Sequence, residues 1–237
     1  TTTLETMDIV SVGKPGNYYE TIGGSFVNDY KIRLHYSSIG HVYMPYSVHV
    51  FGNFFIHAIP YFPGGKKVST AYSGGCVRLE DIDAKKVYDF VEKGTPIIIT
   101  QNGEYDFTPT ATSTPTIEDM DMTRIMVATI LLELLDPEIK ITGLDGKKIM
   151  YLELMPDLLT QKNDAVSTKY AKRLGEKNYV DYMNQRAHSL GLTNTTFTGI
   201  KDSAQTTPED LARFMDFIAM YKSYMKPLYS PKEQVSL

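Results

Sequence analysis

A stretch rich in proline, threonine and serine near the middle of the chain limits the possible folds most, because a continuous hydrophobic core cannot run through it. Its sequence is Thr108-Pro109-Thr110-Ala111-Thr112-Ser113-Thr114-Pro115-Thr116, without apolar periodicity. This composition favours an extended linker. We therefore predict two domains, at residues 1–107 and 119–237, joined by a linker at residues 108–118.

The two sides of this linker differ in their sequence patterns. Before it, residues 30–36 alternate as in a half-buried strand, and residues 48–51 and 54–59 predict two strands around a hairpin turn at Gly52-Asn53. A helix at residues 82–93, closed by Gly94, and a strand at residues 96–100 complete a mainly β domain.

After the linker the pattern becomes helical. We predict helices at residues 120–135, 164–174 and 176–190, and a last helix that has Thr207 as its N-cap and runs to about residue 224. The predicted fold class is therefore α+β with two domains, a mainly β domain followed by a mostly α-helical one.

Composition excludes several classes of function. The formal net charge of −4 gives no basic footprint for nucleic acid. The longest apolar stretch, residues 125–135, is interrupted by Glu133 and is too short to span a bilayer. No group of histidine, cysteine and acidic residues has the spacing of metal ligands, so we expect no metal site. With one cysteine in the chain, no internal disulfide forms.

That single cysteine lies in the segment Tyr72-Ser73-Gly74-Gly75-Cys76-Val77-Arg78-Leu79. Glycines beside Cys76 let a substrate backbone approach and let backbone N–H groups point at one spot. We expect Cys76 to lie on a loop just before a helix N-terminus, where the helix dipole favours a thiolate. Ser73 is expected to shape the turn through its hydroxyl.

A cysteine nucleophile needs a base within reach, and His57 in the apolar run 54–59 is the main candidate. His35, His41 and His49 are alternatives. His49 alternates with Val48 and Val50, which predicts a solvent-facing strand residue, whereas the other two lie near turns. A papain-like protease places its cysteine before its histidine, the reverse of the order in this chain.

His57, a spacer of fifteen residues and the segment Ser-x-Gly-Cys-Val-Arg-Leu resemble the YkuD-type L,D-transpeptidases, whose signature is a histidine, a spacer of about this length, then Ser/Thr-His-Gly-Cys. The resemblance covers about residues 9–100, including Met44-Pro45-Tyr46 and the strand after Gly94. One departure is clear. The family's histidine between serine and glycine is Gly74 in this chain.

The resemblance implies a peptidoglycan L,D-transpeptidase that forms 3→3 cross-links on tetrapeptide stems through a cysteine thioester. Cys76 would be the nucleophile and His57 the acid/base, with Gly75 and Cys76 as oxyanion donors. The substrate-binding candidates that it implies are Arg78, Tyr46, Ser73 and Ala58, the last through a carbonyl that orients the His57 ring. Arg78 would hold a stem carboxylate, brace the loop or form a structural salt bridge.

The same resemblance implies peptidoglycan stem peptides as partners, acylation by carbapenem-type inhibitors, no cofactor, and a location in the cell envelope. No signal peptide is recognisable at Thr1, so we expect any export signal or membrane anchor to lie outside this sequence. Two alternatives stay open. One is an L,D-carboxypeptidase that uses water as acceptor, and the other is a wall-binding protein without turnover.

The second half resembles the helical part of D-alanyl-D-alanine carboxypeptidases of the S11 type, over about residues 119–225. The segments that carry this resemblance include Met183-Asn184-Gln185-Arg186-Ala187 and Thr207-Pro208-Glu209-Asp210-Leu211-Ala212. The family's Ser-x-x-Lys falls on Asp121-Met122-Thr123-Arg124, and Ser-x-Asn falls on Gln161-Lys162-Asn163. Arginine stays protonated and cannot act as a base, so we expect a degenerate, truncated carboxypeptidase-like domain.

Overall fold

The structure is a computed structural model, and it describes residues 4–15, 19–100, 122–134, 140–142, 146–150, 168–169, 171–172, 174–201 and 204–221. The chain divides into two compact units, Thr1–Gly103 and Glu104–Leu237. The predicted linker at residues 108–118 lies outside the described residues. The predicted α+β fold class is confirmed.

Strands are the main regular secondary structure of the first unit, because its β-branched and aromatic residues alternate along the chain. They are β1 (Ile9–Ser11), β2 (Gly24–Val27), β3 (Lys31–Ser37), β4 (Val42–Phe51), β5 (Phe54–Ala58), β6 (Val77–Leu79) and β7 (Pro96–Ile99), with one helix, α1 (Asp81–Phe90), between β6 and β7. The hairpin predicted at Gly52-Asn53 joins β4 to β5.

A five-stranded sheet in the order β1-β6-β5-β4-β3 forms the centre of this unit, and β2 pairs separately with β7. Neighbouring strands run antiparallel except β5 and β6, which run parallel with His57 opposite Arg78. A parallel pair needs a crossover connection. Residues 59–76 form this crossover, which places Cys76 immediately before the first residue of β6.

The two faces of the sheet bury different clusters, since side chains alternate along each strand. One face packs on α1 through Ala58, Leu79 and Ala84, with Ile56 and Val77 beside them. The other face holds Val42, Met44 and Phe55, against which Val68 and Cys76 pack.

Helix α1 begins close to the predicted position but ends at Phe90, before the predicted residue 93. Val91 is already extended, and Gly94 follows with φ +95°. Lys31 explains this end, because its Nζ donates to the carbonyls of Tyr88 and Val91, each at 2.7 Å. A cation at this place satisfies carbonyls that the last helical turn leaves open.

The second unit contains α2 (Met122–Leu134), β8 (Lys140–Thr142), β9 (Lys148–Met150), α3 (Glu176–Ser189), β10 (Thr196–Phe197), β11 (Ala204–Gln205) and α4 (Pro208–Tyr221) among its described residues. Three of the predicted helices are confirmed, whereas the helix predicted at residues 164–174 falls largely outside the described residues. Thr207 caps α4 as predicted, since its Oγ1 accepts from the Asp210 N–H at 3.3 Å.

Helix α2 is buried all round, including two charged residues, Arg124 and Glu133. Glu133 forms a fully buried ion pair with Arg186 of α3 at 2.9 Å. The Tyr179 hydroxyl also joins the two helices by donating to the Val127 carbonyl at 2.7 Å. Among the described residues, no helix combines the length and the apolar character needed to cross a bilayer.

Candidate active site

Ser73 holds the loop that carries the cysteine. Its hydroxyl donates to the Cys76 carbonyl at 2.5 Å and accepts from the Gly75 N–H at 3.0 Å. Its own N–H donates to the Val12 carbonyl at 2.8 Å, which ties the loop to the segment after β1. Ser73 is buried, and these bonds are those of a residue that shapes the turn.

The two glycines before the cysteine have different surroundings. Gly75 has φ +112°, and a Cβ there would lie 2.3 Å from the Phe54 ring, so only glycine fits without a shift. Nothing lies within 4 Å of a Cβ built on Gly74. The position where the family carries a histidine therefore has open space in this chain.

The Gly75 N–H, expected to serve as an oxyanion donor, is bonded to Ser73 Oγ within its own loop. It is therefore already engaged inside the loop in this structure. The role of the Cys76 N–H as the second donor stays a prediction.

Cys76 is only partly exposed, and its thiol donates to the Asn53 carbonyl at 3.7 Å. Burial raises its pKa to about 11, against the smaller lowering effects of a backbone hydrogen bond with Phe55 and the charge of Arg78. The prediction of a thiolate at Cys76 is therefore wrong for the free protein. Strand β6 separates Cys76 from α1, and the helix packs on the opposite face of the sheet, so its dipole does not act directly on the sulfur.

His57 lies on β5 and is buried. Its Nδ1 bonds the Ala58 carbonyl at 2.5 Å. A carbonyl only accepts, so Nδ1 carries the proton and Nε2 has the free lone pair of a base. Burial lowers the pKa of His57 to about 4, with further lowering from Arg78 and His35 and an opposing effect of the Ala58 bond. The ring is neutral at neutral pH.

The parallel register of β5 and β6 brings the two candidate residues to one face. His57 faces Arg78 across the pair, and Cys76 lies two residues before Arg78 on the same strand direction. Phe55, two residues before His57, packs in the same cluster as Cys76. By the two-residue period of strands, His57, Cys76 and Arg78 share the face opposite α1.

Arg78 braces the crossover segment. Its Nη1 donates to Thr70 Oγ1 at 3.0 Å and to the Tyr72 carbonyl at 3.4 Å. Within the described part of the chain it forms no ion pair, which removes the alternative of a structural salt bridge among those residues. Its Nε is buried without a hydrogen-bond partner, and burial lowers its pKa.

Tyr46, expected to line the cleft, lies on the other face of the sheet. It packs against the cluster of Ala58, Leu79 and Ala84, and its ring makes an edge contact with Tyr88 of α1 at 5.9 Å. Tyr46 has φ +53°, and such a local distortion interrupts the simple alternation of a strand. The sequence pattern alone gives no sign of it.

Of the other histidines, His49 differs from its prediction, whereas His41 lies in a turn as predicted. His49 is 9% exposed, so the prediction of a solvent-facing residue is wrong. His35 lies on β3 and stacks on the Phe55 ring at 4.8 Å, whereas His41 is exposed. Across the residues that the structure describes, no three histidine, cysteine or acidic residues are grouped as metal ligands would be.

The first unit is similar to a known protein family. Residues 2–99 match the family model of the YkuD L,D-transpeptidase catalytic domain, which confirms the resemblance of that unit. No curated protein matches the chain. The resemblance of the second unit to carboxypeptidases stays a prediction.

Several solved structures are similar to parts of the chain. An L,D-transpeptidase from Mycobacterium smegmatis is 27% identical, with 41% of this chain and 49% of that chain covered and a TM-score of 0.33. An L,D-transpeptidase from Stackebrandtia nassauensis is 25% identical, with 39% and 42% covered and a TM-score of 0.32. A D-alanyl-D-alanine carboxypeptidase from Mycobacterium tuberculosis H37Rv is 20% identical, with 41% and 45% covered and a TM-score of 0.35.

The chain thus spans less than half the length of these three proteins. Since all three TM-scores are below 0.5, these likenesses add no argument about function.

Proposed function

We propose that the first unit is a cysteine-dependent L,D-transpeptidase that forms 3→3 cross-links between peptidoglycan tetrapeptide stems. The observation that carries the proposal is the shared face of Cys76 and His57, with the Nδ1 proton of His57 fixed on the Ala58 carbonyl. The match of residues 2–99 to the YkuD family model supports it. Because stems of this kind lie outside the cytoplasmic membrane, the function requires export to the cell envelope.

The proposed reaction is acyl transfer in two steps. His57 Nε2 takes the thiol proton as Cys76 Sγ attacks the carbonyl of the third stem residue. The bond to the terminal D-alanine breaks, its amine receives the proton from His57, and a thioester remains. A side-chain amine of a neighbouring stem then attacks the thioester and gives a proton to His57, which returns it to the departing sulfur.

The pKa values of the free site bear on the timing of the first proton transfer. The thiol, with a pKa raised to about 11, and the imidazole on the same face, with a pKa lowered to about 4, are both neutral at rest. Proton transfer then accompanies attack, as in a serine hydrolase, and does not precede it.

The surrounding residues have proposed roles that follow from their contacts. Ala58 orients the His57 ring through its carbonyl, and Ser73 keeps the loop closed around Cys76. Arg78 keeps its charge on the same face without a carboxylate partner among the described residues, which suits a stem carboxylate. The Cys76 N–H is the proposed oxyanion donor, and the Gly75 N–H joins it once it leaves Ser73 Oγ.

A second candidate function is wall binding without turnover. The Gly75 N–H bonded inside its own loop and the raised pKa of Cys76 favour it, since both describe a site at rest. An L,D-carboxypeptidase differs from the main proposal only in its acceptor, which is water. Product analysis with tetrapeptide stems separates the three, because they yield cross-linked dimers, no product, and tripeptides with free D-alanine, respectively.

For the second unit we propose a non-catalytic role. At the family's lysine position, Arg124 is buried in the first turn of α2. Thr123 Oγ1 is engaged with the Ala204 N–H of β11 at 3.0 Å. A guanidinium stays protonated and supplies no base, and the family's serine position is Asp121 in this sequence, so the nucleophile and the base of a serine peptidase are both replaced.

The deciding experiment is intact-mass analysis of the full chain and of Cys76→Ala after incubation with a carbapenem. An adduct on the wild type alone is expected, and it would justify the stem assays. An adduct on both proteins would locate reactivity outside Cys76 and contradict the assignment of the second unit. Absence of any adduct would leave wall binding as the better account.

A further inference from the structure

His49 is held more completely than any packing role requires. Its Nδ1 lies 2.5 Å from Asp29 Oδ1, and its Nε2 lies 3.1 Å from the Gly52 carbonyl. The Tyr30 ring stacks on it at 4.3 Å with 13° between the planes, and the Phe55 ring meets it edge-on at 5.2 Å. Both nitrogens of the imidazole therefore have oxygen partners, and two aromatic rings pack against it.

The backbone around His49 is fixed from the same side. Its N–H donates to the Tyr30 carbonyl at 3.1 Å, and Asn28 Nδ2 donates to its carbonyl at 3.0 Å. Asn28 Nδ2 also lies 2.8 Å from the Tyr30 carbonyl. The segment 28–30 and His49 thus form one hydrogen-bonded unit, to which the His49 ring attaches the hairpin turn.

The turn that His49 holds also receives the thiol. Gly52 has φ +55°, a conformation that fixes the direction of its carbonyl toward the imidazole. The next carbonyl along the chain, that of Asn53, accepts from Cys76 Sγ at 3.7 Å. The carbonyl that His49 binds and the carbonyl that the thiol binds therefore belong to consecutive residues.

A histidine is an unusual residue at this buried strand position, because valine or threonine suits such a position better. Its hydrogen bonds explain why it is there. A buried imidazole is costly unless its nitrogens are bonded. Here the partners are a carboxylate and a carbonyl oxygen, which both accept, so each ring nitrogen has to donate a proton to satisfy both contacts. A register shift between His49 and Phe51 in the β4–β5 pairing accompanies the contact with Gly52. Such bulges redirect side chains near active sites.

We propose that Asp29, His49 and the Gly52-Asn53 turn form a brace that positions the Cys76 thiol for the proposed reaction. The contacts of the brace are present in the free protein. Only the role that we assign to them, positioning the thiol for the reaction, rests on the proposed function. Through it, His49 is a positioning residue and acts on Cys76 by way of the Asn53 carbonyl. His57 remains the proposed base. Arg78 lowers the pKa of both His57 and Cys76 through its charge, and His35 lowers the pKa of His57.

The test is ultraviolet titration of the Cys76 thiolate in the full chain, together with its rate of acylation by a carbapenem. His49→Phe keeps an aromatic ring between Tyr30 and Phe55 but loses both hydrogen bonds. The thiol then loses its fixed acceptor, and we expect the thiolate fraction at a given pH to rise about five- to tenfold, as one lost hydrogen bond predicts. The acylation rate should fall in the same variant despite the larger thiolate fraction.

His49→Gln, which keeps a donor toward Gly52, should return both quantities toward the wild type. Val50→Ala is the matched control, because Val50 is the next residue of β4, is buried, and takes no part in the brace. It should lower the melting temperature without moving the titration. An unchanged titration in His49→Phe, or an equal shift in Val50→Ala, would overturn the brace.

The titration does not depend on turnover. If the wild type is not acylated but His49→Phe still shifts the thiolate titration and Val50→Ala does not, the brace stands and the proposed function fails. If the wild type is acylated but the thiolate titration is unchanged in His49→Phe, the proposed function stands and the brace fails.

Discussion

The two units bury polar pairs of opposite kinds. In the first unit, His57 and Cys76 rest uncharged, with the pKa of the imidazole lowered to about 4 and that of the thiol raised to about 11. In the second unit, Glu133 and Arg186 form a fully buried ion pair at 2.9 Å, and Arg186 also contacts Ser189 Oγ at 3.0 Å and the Phe217 ring at 5.0 Å.

The difference teaches what each pair is suited to do. Buried charges persist only where close partners compensate their desolvation, and Arg186 has such partners. His57 and Cys76 have few strong partners, so their charged forms arise only when a reaction supplies the compensation. The first pair is therefore suited to chemistry and the second to holding α2 against α3.

The largest expected effect tests the chemical pair. His57→Gln should slow acylation of Cys76 by a carbapenem about a hundred- to ten-thousandfold, because general-base assistance is lost while the side-chain volume is nearly kept. Time-resolved intact-mass analysis measures it. His41→Gln is the matched control on an exposed histidine and should change the rate little. A rate for His57→Gln close to that of the wild type would remove His57 from the mechanism.

Breaking the ion pair of Glu133 and Arg186 should lower the free energy of unfolding of the second unit. Glu133→Ala leaves the Arg186 charge buried without its partner and should cost about 3–5 kcal/mol of unfolding free energy in the second unit. Hydrogen exchange along residues 176–189 during denaturant titration measures it. Asp181→Ala breaks the exposed pair between Lys177 and Asp181 and should cost about 0.3–0.5 kcal/mol. Equal losses in the two variants would contradict the distinction.

The pH dependence of alkylation examines the neutral state of the first pair. The thiolate is the reactive form, so the rate should rise about tenfold per pH unit between about pH 7 and pH 10 and level off near the raised pKa of about 11. Mass analysis of Cys76 after timed exposure to iodoacetamide measures it. A rate that already levels off above about pH 9 would mean an ordinary, solvated thiol with a pKa near 8.5.

The smallest expected effect comes from removing both charges of the buried ion pair at once. Replacing both Glu133 and Arg186 by apolar residues, as in Glu133→Leu with Arg186→Met, should leave the second unit within about 1 kcal/mol of the wild type or more stable. Denaturant unfolding compares this double variant with Glu133→Ala. A double variant as unstable as the single one would show that the pair gives stability which an apolar core cannot replace.

Much of the first unit could be predicted from local patterns. The strand near residues 30–36, the hairpin at Gly52-Asn53 and the strand after Gly94 follow from alternation and turn chemistry, and the structure has all three. The position of Ser73 in a turn also followed from its residue type. These features depend on neighbours in sequence, which a pattern records directly.

Features that depend on register could not be predicted. The positive φ of Tyr46 and the register shift beside His49 turn those side chains away from the faces that strict alternation assigns. The short strand β6 was missed, and with it the separation of Cys76 from α1. A three-residue strand has too little pattern to recognise, and it forms because β1 and β5 pair on either side of it.

The sequence by itself therefore determined the longer elements, the composition of each half and the identity of the candidate nucleophile and base. Only the tertiary structure decided which face Tyr46 and His49 occupy, and that Cys76 rests as a neutral thiol. The physical reason is that helix and strand propensities act between near neighbours. Burial, register and pKa depend instead on groups that the fold brings together from distant parts of the chain.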